Sequence, residues 1–216
     1  MNKLYDYNIN YALSLDMDIN LLYKSKILPL ESQELSILVA TSQKEQNVDD
    51  LLSLFNKPIK FIYFSENEMN IELQYLEFKR VLYGYSVKAL SSVEINSESS
   101  YITSFMEELF AFSIINNVSD IHFEAVDNSM IIRLRIDGEL NQIFRFNSEL
   151  FPLVSSIIKY FGNLDISQKR IPLNGRFSKK IVNTMYDMRI STMPTIYGES
   201  IVLRILDNGN IKKDIH

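Results

Sequence analysis

The chain has 216 residues, no Cys, two His and a formal net charge of −5. Without Cys there is no disulfide framework and no thiolate nucleophile, two His argue against a conventional zinc site, and no run approaches the ~20 apolar residues of a membrane helix. Residues 1–100 carry 9 Lys+Arg against 14 Asp+Glu and residues 101–216 carry 13 of each, which disfavours nucleic acid, since phosphate backbones are bound by excess positive charge. The N-terminus has no signal-peptide pattern, so a cytoplasmic location is expected.

The first half reads as short strands alternating with helices. Residues 35–42 (LSILVATS) form an apolar run of strand length. NVDDLLSLFN (47–56) has helix signals at both ends: Asn47 as N-cap, Asp49 and Asp50 in the first turn, Asn56 and Pro58 as stops. IKFIYFS (59–65), rich in β-branched and aromatic residues, reads as a second strand. Residues 66–83 read as a helix with Met69, Leu73 and Leu76 on one face and Gly84 as terminator. Residues 1–90 are therefore expected to form a small α/β domain. The stretch 91–100 (SSVEINSESS), with five Ser in ten residues, reads as a linker; the alternative is a surface loop within a single domain.

Over 101–210 the pattern changes. A helix is expected at about 100–116, with Ile102, Phe105, Met106, Leu109, Phe112 and Ser113 on one stripe. Strands are expected near 119–125 and 129–137. A second helix at 149–161 carries Leu153, Val154, Ile157, Ile158 and Phe161 and ends at Gly162. Three more strands follow near 175–181, 184–192 and 199–206. Asp137-Gly138 and Asn174-Gly175 read as hairpin turns, so the sheet should be mainly antiparallel, with two covering helices. The fold class is α+β.

Seven of the eight arginines lie in this second half. Strand alternation points Ile132, Leu134 and Ile136 to the core and Arg133 and Arg135 away from it; it likewise separates Asp187 and Arg189 from Tyr186, Met188 and Ile190. Arg204 shares a face with Val202 and Leu206, which predicts partial burial and a partner. Each arginine could simply pair with an acid such as Asp187, Glu124, Asp137 or Glu199. Exposed pairs contribute only about 0–1 kcal/mol, however, so stability alone does not call for so many. His122 shares a face with Asp120 and Glu124. With no further His or Cys nearby, a hydrogen-bonded structural role is expected for it rather than a metal site. None of the six glycines fits G-x-x-x-x-G-K-[ST] or G-x-G-x-x-G, so the chain is not expected to hydrolyse a nucleotide by itself.

Four ordered segments carry a family resemblance: SDIHFE (119–124), IRLRIDG (132–138), LDI-x-x-KR-x-P-x-x-GR (164–176) and MRIST-x-P-x-x-x-GE-x-x-V-x-RILD (188–207). They resemble the domain preceding the catalytic domain in the secretion and pilus-assembly ATPases. Residues 27–80 more loosely resemble that family's N-terminal domain. Leu173 and Asn174 depart from the Gln-Asp usual before the GR pair, and Ser156 stands where a basic residue is common. The Arg- and Leu-rich signature of relatives that bind a cyclic dinucleotide is missing, so that ligand is not carried over.

The resemblance implies an N-terminal docking domain and then a PAS-like domain, ending at His216 where the family's RecA-like ATPase domain begins. It implies a hexameric motor of type II secretion, type IV pili or competence pili, at the cytoplasmic side of the bacterial inner membrane. Its expected partners are the RecA-like domain of the same protein, neighbouring subunits, and the cytoplasmic domain of an inner-membrane component. ATP and magnesium belong to the whole motor, with no cofactor or metal expected in residues 1–216 alone. Arg176 and Arg189 match the positions that approach nucleotide phosphates, whereas Arg133, Arg135, Arg170 and Arg204 are expected at interfaces or in ion pairs. The alternative is a stand-alone PAS-like interaction or ligand-binding module. That would show a closed apolar cavity and an arginine face hidden by intramolecular pairs.

Overall fold

The structure is a computed structural model. It describes Leu4, Tyr7, residues 9–44, Phe55, residues 57–92 and residues 100–206. The chain divides into two compact units, Met1–Gly84 and Tyr85–His216.

In the first unit, helices α1 (Tyr11–Leu15) and α2 (Ile19–Ser25) begin at Asn10 and Asp18, whose side chains accept backbone N–H bonds from Leu13 and Asn20. Strand β1 (Ile27–Ser32) pairs antiparallel with β2 (Ile37–Thr41), and β2 pairs parallel with β3 (Ile59–Tyr63). A parallel pair needs a crossover between its strands, as the α/β reading requires. The helix expected at 47–56 lies outside the described residues except for Phe55.

The single helix expected at 66–83 is two helices, α3 (Glu66–Gln74) and α4 (Leu76–Ser91). Tyr75 breaks the run at φ −118°, ψ 23°, and Ser65 with Glu68 closes a capping box at the start of α3. Gly84 does not terminate α4; it lies inside the helix. A mid-helix glycine costs only about 1 kcal/mol, and burial of Leu82, Ser86 and Ala89 outweighs that. Arg80 donates to the carbonyls of Leu15 (2.8 Å) and Met17 (3.0 Å), which makes it a structural residue.

The second unit is built on a six-stranded sheet, every pairing of which is antiparallel. Its strands are β4 (Val118–Val126), β5 (Ser129–Ile136), β6 (Glu139–Asn147), β7 (Leu173–Ile181), β8 (Thr184–Thr195) and β9 (Gly198–Leu206), in the order β6-β5-β4-β9-β8-β7. Helices α5 (Tyr101–Ile115) and α6 (Leu150–Phe161) pack on one face of it. Ser100 caps α5, whose buried stripe is Ile102, Phe105, Met106, Leu109, Phe110 and Ser113; Phe112, expected there, is half-buried. Leu150, Phe151, Val154, Ile157 and Ile158 fill the stripe of α6, with Leu153 and Phe161 half-buried. These side chains meet Ile121, Phe123, Ile132, Leu134, Met188, Ile190, Ile201 and Leu203, all nearly inaccessible to solvent. The architecture is α+β.

The sheet has four hairpins, β4–β5, β5–β6, β7–β8 and β8–β9. Asp137 (φ 50°) and Gly138 (φ 85°) join β5 to β6, the left-handed pair that matches strand twist. Asn174-Gly175 is not a turn: both residues lie within β7, facing Ser191 and Ile190. The β7–β8 turn is instead Val182-Asn183, at φ 44° and 69°. Gly175 is needed for packing, because a Cβ there would lie 3.1 Å from Leu164 and 3.2 Å from the Gly162 carbonyl. Gly162 caps α6 as expected, and a Cβ on it would collide with Ile190.

Candidate functional site

The outer face of the six-stranded sheet, opposite the helices, carries the arginines. Cross-strand register aligns five strands into one row: Arg135 faces Asp120, Asp120 faces Arg204, Arg204 faces Arg189, and Arg189 faces Arg176. The row thus holds four guanidiniums and one carboxylate, in a chain whose net charge is −5. Adjacent strands are about 4.8 Å apart, and like charges directly opposite destabilise a sheet.

Asp120 is the hub of the row. Its side chain is only 6% exposed, while that of Arg204 is 64% exposed. Asp120 accepts from Arg204 Nε at 2.8 Å and from Ser119 Oγ at 2.9 Å, and lies 3.3 Å from Arg135 Nε. Arg135 also donates to the Gly138 carbonyl at 2.9 Å. Burial alone would raise the Asp120 pKa, but the Arg204 and Ser119 hydrogen bonds, with the charges of Arg204 and His122, hold it below the usual carboxylate range. Arg204 is paired as expected but not buried. The core-facing positions of β9 are Glu199, Ile201 and Leu203, which leaves Arg204 outside with Val202 and Leu206.

Arg133 forms an ion pair with Glu124. Arg170 is exposed, and its backbone N–H bonds the Gln168 side chain. Arg176 and Arg189 are exposed and have no carboxylate partner among the described residues. Asp187 on β8 accepts from the Ser178 hydroxyl. A shallow depression of about 300 Å³ lies at this end of the row, lined by Asn174, Gly175, Arg189, Ile190, Ser191, Val202 and Arg204.

His122 lies beside the row, facing Arg133 on β5 and Val202 on β9. Its Nε2 is buried without a hydrogen-bond partner among the described residues. Desolvation lowers its pKa; Asp120 and Glu124 oppose that shift, while Arg135 and Arg133 reinforce it. Among the described residues no cluster of His, Asp or Glu could hold a metal ion.

On the inner face, Glu199 is not an arginine partner. It accepts from Lys159 Nζ at 2.7 and 2.9 Å and from Ser155 Oγ at 3.1 Å, and Lys159 also donates to the Gln168 carbonyl at 2.6 Å. Lys159 is fully buried, so this network ties α6 to the start of β9. The sequence reading missed both Lys159 and the role of Asp120. A lysine amid the apolar stripe of α6 was a readable signal, whereas the Asp120–Arg204 pair spans 84 residues of chain and depends on strand register.

The second unit is thus an α+β module with a helix-covered antiparallel sheet and a row of arginines on its outer face. The chain is a member of the family described as Type II/IV secretion system protein, which matches residues 96–216. Type II secretion system protein E of Aeromonas hydrophila is 40% identical over 114 residues, covering 53% of this chain and 23% of that protein. Type II secretion system ATPase E of Vibrio cholerae is 34% identical over 121 residues, 56% of this chain and 24% of that protein. Type IV pilus assembly ATPase PilB of Acinetobacter baylyi is 27% identical over 209 residues, 88% of this chain and 36% of that protein. The chain therefore spans a quarter to just over a third of the length of these curated relatives. Among the described residues, no helix is long and apolar enough to cross a membrane.

Proposed function

We propose that this chain supplies the N-terminal part of an assembly ATPase of type II secretion, type IV pili or competence pili. Residues 1–90 dock the motor on the cytoplasmic domain of an inner-membrane component. The second domain, of the PAS-like type, lies against a RecA-like ATPase domain in a hexamer and presents Arg176 and Arg189 to ATP phosphates. Magnesium would be held by groups outside this chain.

The observation that carries the reading is the end of the arginine row. Arg189 and Arg176 are adjacent, exposed and without a carboxylate partner among the described residues. Their repulsion costs up to about 1 kcal/mol at ~5 Å in water, a cost that an anion would reverse. A guanidinium fork fits phosphate oxygens bidentately. Phosphoryl transfer depends on neutralising charge as it spreads over those oxygens. The stand-alone module reading finds less support, since it needs an arginine face closed by internal pairs.

The test is turnover and melting temperature of full-length protein carrying Arg176→Ala or Arg189→Ala. Turnover should fall about ten- to a hundredfold, the equivalent of one charge-assisted hydrogen bond, with little change in melting. Normal turnover per folded motor would overturn the reading.

A further inference from the structure

The bond that holds Arg204 uses only one of its donors. Nε bonds Asp120, while the terminal amino groups have no hydrogen-bond partner among the described residues. Arg204 nevertheless lines the same depression as Arg189 and stands directly opposite it in register. Asp120 is buried and bonded by Ser119 as well, so it forms a fixed post rather than a mobile surface acid. Its other flank is held by Arg135, itself fixed to the Gly138 carbonyl.

We propose that Asp120 is a positioning residue that anchors Arg204 by Nε and thereby makes it the third phosphate-binding fork beside Arg189 and Arg176. The ligand class is a polyphosphate, and the inference rests on the phosphate reading given under Proposed function. A long side chain loses roughly 2 kcal/mol of rotamer freedom when it is ordered on a ligand. An Arg204 already held at Nε has lost part of that freedom before the anion arrives, and preorganisation of this kind raises affinity. The anchored fork also extends the anion surface over three strands, which suits a chain of phosphates better than a single one.

The sign of one substitution separates positioning from bulk electrostatics. Asp120→Asn removes a negative charge beside an anion site, so charge alone predicts tighter polyphosphate binding. Positioning predicts the opposite. The experiment is calorimetric titration of this chain with inorganic tripolyphosphate at constant salt, for wild type, Asp120→Asn, Arg204→Ala and the double variant. Asp120→Asn should weaken binding roughly three- to tenfold, a part of one charge-assisted bond, and should have no further effect in the Arg204→Ala background. Binding by Asp120→Asn as tight as or tighter than wild type overturns the inference, as does lack of saturable binding by wild type. If Asp120→Asn does not fold, Arg204→Lys decides the matter. Lysine keeps the charge but has no Nε-anchored fork, so it should lose nearly as much as alanine, and full retention overturns the inference. The phosphate reading itself is tested by turnover of the Arg176 and Arg189 variants in the full-length protein, so either can fail alone.

Discussion

The two faces of the six-stranded sheet treat positive charge in opposite ways. On the inner face Lys159 is fully buried and matched by Glu199, with Ser155 and the Gln168 carbonyl completing the network, and the half-buried Lys179 pairs with Glu107. On the outer face Arg133, Arg135 and Arg204 find carboxylates, while Arg189 and Arg176 find none among the described residues. A charge buried without a match costs several kcal/mol, so the inner face has no freedom to leave one open. Solvent relaxes that demand outside, and there an unmatched pair of guanidiniums persists at the β7–β8 end of the row. Arg204 stands between the two groups, held to Asp120 by Nε while its terminal amino groups have no hydrogen-bond partner among the described residues.

The inner face gives the largest expected effect. Lys159→Met leaves Glu199 buried without its cation, and denaturant unfolding should show a loss of about 3–5 kcal/mol. Replacing both Lys159 and Glu199 with Met should recover much of it, because buried ion pairs are often no better than apolar packing. A loss under 1 kcal/mol for the single variant would mean that water reaches this site.

The unmatched outer pair should behave in reverse. In this chain Arg189→Ala should leave stability unchanged or raise it by up to ~1 kcal/mol, through relief of repulsion with Arg176 and Arg204. A destabilisation above that size would show that Arg189 has a structural partner and would remove the contrast between the faces.

Acid should probe the matched part of the outer face in two windows. The Asp120 pKa is lowered on folding, so its stabilisation is present above the unfolded value of ~4 and is lost as pH falls through the folded value. The His122 pKa is also lowered, so the unfolded state takes up its proton first and stability declines as pH falls below ~6.5. Urea titrations across pH should show both declines, with His122→Gln flattening the upper one and Asp120→Asn the lower. An upper decline unchanged in His122→Gln would mean that another group titrates there.

Much of this contrast was legible in the chain, but not its geometry. Alternation in IIRLRI and in YDMRI placed Arg133, Arg135 and Arg189 on the outer face, because a strand with one buried side must alternate. β6 was missed: its first residues, Glu139 to Gln142, are all exposed and Leu140 is their one apolar side chain, although the Asp137-Gly138 turn before it was read. Asn174-Gly175 misled because its usual preference for a hairpin turn was overridden by the packing of Leu164 against Gly175. The turn fell to Val182 instead, a β-branched residue that sequence rules place almost anywhere but at positive φ. The arginine row was beyond reach, since it exists only through the β4–β9 and β8–β9 registers.

The smallest expected effect concerns Arg133 and Glu124, and it tests whether a matched outer pair is merely matched. Their side chains are 31% and 23% exposed, so solvent screens the attraction and both must lose rotamer freedom to meet. A double-mutant cycle with Arg133→Ala and Glu124→Ala should give a coupling of only about 0–1 kcal/mol. Raising salt from 0.1 M towards 1 M shortens the screening length from ~10 Å to ~3 Å and should shrink the coupling further. Turnover of full-length protein should be unchanged by Arg133→Ala, because its fork is already occupied by Glu124. Arg133 lies two register positions along from the row, opposite His122 rather than opposite another arginine. If Arg133→Ala slowed turnover as far as Arg189→Ala while stability held, Arg133 would be acting on the ligand despite its pairing with Glu124.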